Sequence, residues 1–197
     1  AGHWATSGPY PLSPSLRDRT VGIVGLGRIG MAIARRLDAM KVPVVYHSRR
    51  AVAGVPYRYY EDLRAMASDV DVLLVIVPGG AGTRHLIDRP VLEALGANGI
   101  LISVGRGSTV DEAALIDALR NRTILSAGLD VFEKEPHVPA ELIALPNAVL
   151  LPHLGSASVF TRNAMGQLVV DNLRSWFEEG KPLTPVAETP WPSKRAR

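Results

Sequence analysis

Val21-Gly22-Ile23-Val24-Gly25-Leu26-Gly27-Arg28-Ile29-Gly30 decides how this chain folds. Val21 to Val24 is an apolar run short enough for a buried strand, and Ile29 to Met40 suits a helix with Ile33 and Leu37 on one face. Between them lies the pattern G-x-G-x-x-G. Its three glycines do different jobs: Gly25 permits a tight turn, Gly27 lets a pyrophosphate approach the backbone, and Gly30 lets the helix pack closely on the strand. The start of the helix adds free N–H groups and a positive dipole end, so the phosphates of a dinucleotide are expected there.

Reading outward, the alternation continues. Strands are expected at Val42 to Tyr46, Arg58 to Tyr60, Val72 to Val77, Ile100 to Val104, Ser126 to Leu129 and Ala148 to Leu151. Helices are expected at Asp62 to Ala67 and at Asp111 to Arg120, where Ala114, Leu115, Ala118 and Leu119 form the apolar stripe. Val72 to Val77 is apolar throughout, as a central parallel strand buried on both faces should be. The fold class is therefore α/β, a Rossmann-type doubly wound parallel sheet with helices on both faces and ligands beyond the carboxyl ends of its strands. Residues 1–19, with Gly2, Gly8, Pro9, Pro11 and Pro14, read as a linker arm, and 20–157 as the dinucleotide-binding domain. A last helix from Ser158 to Glu179 occupies 158–184, and the Pro-rich stretch 185–197 reads as a flexible tail.

Composition narrows the function. The chain has no cysteine, which excludes disulfides, thiolate metal sites and a cysteine nucleophile; no metal site is expected, and cytoplasm is the expected compartment. No apolar run approaches the roughly 20 residues of a membrane span, so no membrane partner is expected. Net charge is +3, and Lys194, Arg195 and Arg197 of the tail supply part of it, which is weak ground for nucleic-acid binding. Tyr57, Tyr59 and Tyr60 resemble a stacking surface for single strands, but only Arg58 interleaves them and no basic groove accompanies it. Packing around the short third strand accounts for them better.

The glycine motif by itself also suits S-adenosylmethionine and FAD enzymes. The end of the second strand says more, because an NAD site normally places Asp or Glu about 20 residues on, to accept the ribose 2′-hydroxyl. Here the stretch reads Tyr46-His47-Ser48-Arg49-Arg50. Nothing in it repels a 2′-phosphate, and Arg49 or Arg50 suits charge-assisted bonds to one, so NADP(H) is favoured over NAD(H). Candidate cofactor contacts are thus Gly25, Gly27, Arg28, Ile29 and Gly30 on one side and Ser48, Arg49 and Arg50 on the other.

Three further segments stand at expected carboxyl ends: Val104-Gly105-Arg106-Gly107, Gly128-Leu129-Asp130-Val131-Phe132-Glu133-Lys134-Glu135-Pro136 and Leu151-Pro152-His153-Leu154-Gly155-Ser156. Together with the glycine motif, in this order, they closely resemble the D-isomer-specific 2-hydroxyacid dehydrogenases, over nearly the whole chain. Val77-Pro78-Gly79-Gly80 and the two arginines bring the resemblance nearest to the glyoxylate/hydroxypyruvate and 2-ketogluconate reductases. The resemblance implies that Arg106 binds the carboxylate and carbonyl of a small 2-oxo acid, that His153 is the acid/base, and that Glu135 pairs with His153. It further implies cofactor contacts at Val77, Pro78, Val104, Gly105, Arg106, His153 and Gly155, with Asp130 near the nicotinamide carboxamide. These roles suit the chemistry: hydride transfer to a 2-carbon develops negative charge on the carbonyl oxygen, which needs a proton and a nearby cation. Glu133 is closer to His153 in sequence but lacks the Pro that follows Glu135.

Family members dimerise through the cofactor domain, so the resemblance implies a homodimer. They also carry a substrate domain ahead of the linker, toward which the C-terminal helix of 158–184 returns, so these 197 residues are expected to be a fragment with little turnover of their own. Two alternatives stand beside this reading: a dinucleotide-sensing corepressor of the same fold, and another dehydrogenase of the family, such as one acting on phosphoglycerate or phosphite. The remaining histidines, His3, His47, His85 and His137, read as structural or surface residues.

Overall fold

Strands and helices alternate from Val21 to Leu150 as the glycine motif demands. The computed structural model describes residues 3–8, 12, 15–186 and 191, and these divide into two units, Ala1–Pro152 and His153–Arg197. In the first, the order is α1 (His3–Ser7), β1 (Val21–Val24), α2 (Arg28–Ala39), β2 (Val44–His47), β3 (Arg58–Tyr60), α3 (Leu63–Asp69), β4 (Val72–Val75), α4 (Arg89–Leu95), β5 (Ile100–Ser103), α5 (Glu112–Arg120), β6 (Ser126–Leu129), α6 (Ala140–Ile143) and β7 (Ala148–Leu150). The strands form one parallel sheet in the order β3-β2-β1-β4-β5-β6-β7. Strand order reverses between β1 and β4, which is the switch point where such sheets bind ligands.

β4 shows why the sheet needs helices on both faces. Leu73 and Val75 point into one core with Leu63 and Met66 of α3, Leu92 of α4 and Leu115 of α5. Val72 and Leu74 point the other way, into a core shared with Ala34, Ile33 and Leu37 of α2. All four residues of β4 are buried, so period-2 alternation and a continuous apolar run describe the same strand.

Several boundaries differ from those read in the sequence. β2 begins at Val44 rather than Val42 because Pro43 has no N–H for the ladder, although its carbonyl accepts the Val21 N–H at 2.9 Å. β4 ends at Val75 rather than Val77; Ile76 still donates to the Val24 carbonyl, but Pro78 cannot continue the ladder. β5 likewise ends at Ser103 and β7 at Leu150. Asp62 and Asp111, expected as first helical residues, are N-caps whose carboxylates accept backbone N–H groups of Ala65 and Ala114, each at 3.0 Å. The short helices α4 and α6 were not expected, since each begins beside a proline, Pro90 or Pro139, that reads in the sequence as a break. α1 lies within the stretch expected to be an irregular arm.

The second unit is built on α7 (Val159–Glu179), capped by the Ser158 hydroxyl, which accepts the Thr161 N–H, and closed by Gly180 in the left-handed region. Asn172 accepts the N–H groups of Leu183 and Thr184, and Trp176 meets Trp191 edge to face at 5.2 Å. The flexible tail expected at 185–197 falls mostly on 187–190 and 192–197, which lie outside the described residues.

Candidate active site

Sheet register brings the sequence motifs of the first unit to one edge. Val24 pairs with both His47 and Val75, Val75 with Ser103, Ser103 with Leu129, and Leu129 with Leu150. The next residues, Gly25, Ser48, Ile76, Val104, Asp130 and Leu151, therefore leave the sheet in a row.

At the switch point this edge opens into a cleft of about 1110 Å³, large enough for a dinucleotide. Its walls combine Gly25 and Gly27 with Ser48, Arg49 and Arg50 after β2 and with Val77 and Pro78 after β4. Gly25 has φ 103°, and a Cβ there would lie 2.8 Å from Val77 Cγ1 and 3.1 Å from the Ile76 carbonyl. Glycine is required there both for the turn and for the space. Gly27 differs: a Cβ would meet nothing within 4 Å, so the protein leaves open the space in front of the helix. Gly27 is also the N-cap of α2, and no side chain caps that helix. The first N–H groups of α2 are thus left for an anion. Arg28 and Ile29 form the exposed start of α2, while Gly30 is buried against the turn. Among the described residues, no carboxylate lines the cleft. His47, read as structural or surface, lines it too, and its Nδ1 sits 3.0 Å from the Tyr60 carbonyl oxygen.

The Arg106 turn is built by close packing. A Cβ on Gly105 would lie 2.6 Å from the Val77 carbonyl oxygen, and one on Gly107 would fall on the Phe132 carbonyl. The chain after β5 is thus wedged between the segments after β4 and β6. Arg106 itself is exposed, and Thr109 holds its carbonyl with both its N–H (3.1 Å) and its hydroxyl (2.6 Å). Asp130 is buried at the end of β6, and its N–H donates to the Ser103 carbonyl. Glu135 is exposed, and its Oε1 accepts the Phe132 N–H at 3.1 Å.

Glu133, set aside in the sequence, is held by several partners. Its Oε1 takes Arg84 Nη2 at 3.0 Å and faces His85 Nε2 at 3.2 Å, while its own N–H donates to Glu112 Oε2. Burial and the Glu133 charge push the Glu112 carboxyl above its usual range, against the opposing pull of that N–H. His85 also donates its N–H to the Ser108 carbonyl, so these residues brace the Arg106 turn from the outside. No pattern in the sequence pointed to Arg84, His85 and Glu112 together; they meet only through the fold.

His153 opens the second unit and is exposed, with φ 54°. Among the described residues, four non-glycine residues have positive φ; Lys41 and Arg122 directly follow the C-caps of α2 and α5, where that conformation is ordinary. His85 likewise follows the C-cap of a single 3-10 turn, Ala81–Thr83, whereas His153 has no helix end to account for it. Gly155 follows in the same exposed stretch. Among the described residues, no group of His, Cys, Asp and Glu suits a metal ion, and no helix is long and apolar enough to cross a membrane.

The profile of the D-isomer specific 2-hydroxyacid dehydrogenase family, NAD binding domain, matches residues 1–155. The chain belongs to this family. Among its relatives, glyoxylate/hydroxypyruvate reductase A of Arabidopsis thaliana is 50% identical over 186 residues, covering 94% of this chain and 59% of that protein. The 2-ketogluconate reductase of Gluconobacter oxydans is 45% identical over 186 residues, covering 94% and 60%. Among solved structures, an NADPH-dependent glyoxylate/hydroxypyruvate reductase from Sinorhizobium meliloti, in complex with NADP and malonate, superposes with a TM-score of 0.90 at 59% identity. It covers all of this chain, which spans 61% of it. The chain thus spans about three-fifths of the length of the relatives named here.

Proposed function

We propose that this chain holds NADP(H), in preference to NAD(H), for an enzyme that interconverts a small 2-oxo acid, such as glyoxylate or hydroxypyruvate, and its D-2-hydroxy acid. The cleft carries this reading: Arg49 and Arg50 line it, no described carboxylate does, and an uncapped helix end with open space at Gly27 stands beside them. The pyrophosphate belongs at the start of α2 and the 2′-phosphate on the two guanidinium groups. When bound, the cofactor supplies or accepts the hydride. Arg106 places a cation where the substrate carboxylate and the developing oxyanion need one, and His153 supplies or takes the proton. On the family resemblance, Glu135 is the residue assigned to partner His153. Asp130, Val104 and Gly105 are the candidate contacts for the nicotinamide end in the first unit, and the family resemblance adds Gly155. The NADP complex of the Sinorhizobium meliloti reductase, 59% identical, and the names of the other relatives support this assignment.

Titration with NADPH and NADH tests the cofactor reading. Wild-type protein should bind NADPH about tenfold or more tightly than NADH, and changing Arg49 and Arg50 together to Ala should remove most of that difference. Equal affinity of the wild type for the two would overturn it. Reduction of glyoxylate and hydroxypyruvate, followed as NADPH oxidation with Arg106→Ala as the control, tests the chemistry. A homodimer through the cofactor domain belongs to the same proposal, on the family resemblance. Sedimentation at several concentrations measures it.

A further inference from the structure

The loop that carries Arg49 and Arg50 is tied down at both ends by tyrosine hydroxyls. Tyr59 donates to the Ser48 carbonyl at 3.2 Å, and the Tyr46 hydroxyl accepts the Val52 N–H at 2.8 Å. Between these points the Ser48 hydroxyl donates to the Arg50 carbonyl at 2.6 Å. The two tyrosines are register partners in β2 and β3, so their side chains lie on one face of the sheet, with ring centroids 5.4 Å apart. Tyr46 is 1% exposed, and both rings belong to the core beneath α2. The neighbouring tyrosines do other work: Tyr57 donates to Asp38 of α2, and Tyr60 donates to Asp69 from the opposite face.

Resting on the NADP(H) reading above, we propose that Tyr46 and Tyr59 are positioning residues for 2′-phosphate recognition, holding the 48–52 loop in its binding shape before the cofactor arrives. Arginine recognition of a phosphate depends on where the planar guanidinium groups are placed. A loose loop would surrender its conformational freedom on binding, whereas a loop pinned at both ends has surrendered it on folding. The hydroxyls thereby strengthen NADPH binding without touching the cofactor. NADH has no 2′-phosphate and draws little on the placement of this loop.

The test uses Tyr59→Phe and Tyr46→Phe, with Tyr57→Phe as the control, each titrated with NADPH, NADH and 2′,5′-ADP. Loss of either hydroxyl should weaken NADPH and 2′,5′-ADP about three- to tenfold and NADH less than about twofold. Tyr57→Phe should leave the NADPH/NADH ratio at the wild-type value. Thermal unfolding reports whether each variant folds; should Tyr46→Phe fail, half-buried Tyr59→Phe decides alone. An unchanged ratio in folded Tyr59→Phe overturns the proposal, as does an equal loss for NADH, which would make the hydroxyls structural only. A wild type with no preference for NADPH instead overturns the arginine reading, and this proposal with it.

Discussion

Two glycines of one motif, changed to the same residue, should fail in opposite ways. Gly30 is buried in α2, and a Cβ there would fall on the Gly25 carbonyl, with Ile23 Cγ2 3.4 Å away. That carbonyl cannot easily retreat, because the Gly25 N–H is held by the His47 carbonyl at 2.9 Å. Helix propensity alone favours alanine by about 1 kcal/mol. Overpacking costs about 1–3 kcal/mol, and a collision with backbone lies at the upper end of that range. Gly30→Ala should therefore lose about 1–2 kcal/mol, equivalent to a fall in Tm of about 3–8 °C for a chain of this size. Gly27 has φ −81° and open space where its Cβ would go. Gly27→Ala should unfold within about 1 kcal/mol of wild type yet bind NADPH at least about tenfold more weakly, since the methyl group occupies the approach of the pyrophosphate. Circular dichroism melts and NADPH titrations on the two variants read both quantities. Wild-type affinity in Gly27→Ala, or a wild-type Tm in Gly30→Ala, would refute the division of roles.

Two stability measurements probe the supporting structure. Asp111→Ala removes the carboxylate that caps α5 through the Ala114 N–H and should cost about 1 kcal/mol by urea unfolding, with Asp111→Asn recovering most of it. Glu112 is raised by burial and by the Glu133 charge, so its contribution to stability is complete below the ordinary carboxylate range of about 4 and is lost as pH rises through the raised value. Glu112→Gln avoids that loss while keeping an acceptor for the Glu133 N–H. The variant should match wild type near pH 3.5 and melt progressively higher than wild type toward pH 7; a constant difference would count against the assignment.

Most of the sheet was legible because its central strands are short apolar runs, as Val21–Val24 and Val72–Val75 show. Its edges were misread where proline removes a donor, at Pro43 and Pro78, or where an aspartate caps a helix rather than joining it, at Asp62 and Asp111. α4 escaped although it is as long as α3, because Pro90 reads in the sequence as a break, whereas in the fold it sits in the first turn, where its missing N–H is harmless. In the site, the glycine turn and the Arg49–Arg50 pair follow the first two strands, so local sequence was enough to put both at the cleft. The partners of Glu133 could not: Arg84 lies 49 residues away and His85 48. Tyr59 was assigned to packing around β3, and it does pack there; that its hydroxyl reaches the Ser48 carbonyl depends on the β2–β3 register, which no local pattern encodes.

The same register joins the two halves of the first unit's site. Val77 lines the cofactor cleft, and its carbonyl is the atom that a Cβ on Gly105 would strike. Gly79, also in the cleft wall, faces Arg106 so closely that a Cβ there would lie 3.2 Å from the arginine's Cβ and Cγ. The wall then closes on itself, with the Thr83 hydroxyl donating to the Pro78 carbonyl at 2.7 Å. On its far side the Arg106 turn is backed by the Phe132–Glu133 peptide, which Arg84, His85 and Glu112 hold in place. Close-packed backbone of this kind transmits displacement instead of absorbing it. Residues 77–79 and the Arg106 turn are packed this closely, so the wall of the cleft and the position of the Arg106 backbone are fixed by the same contacts.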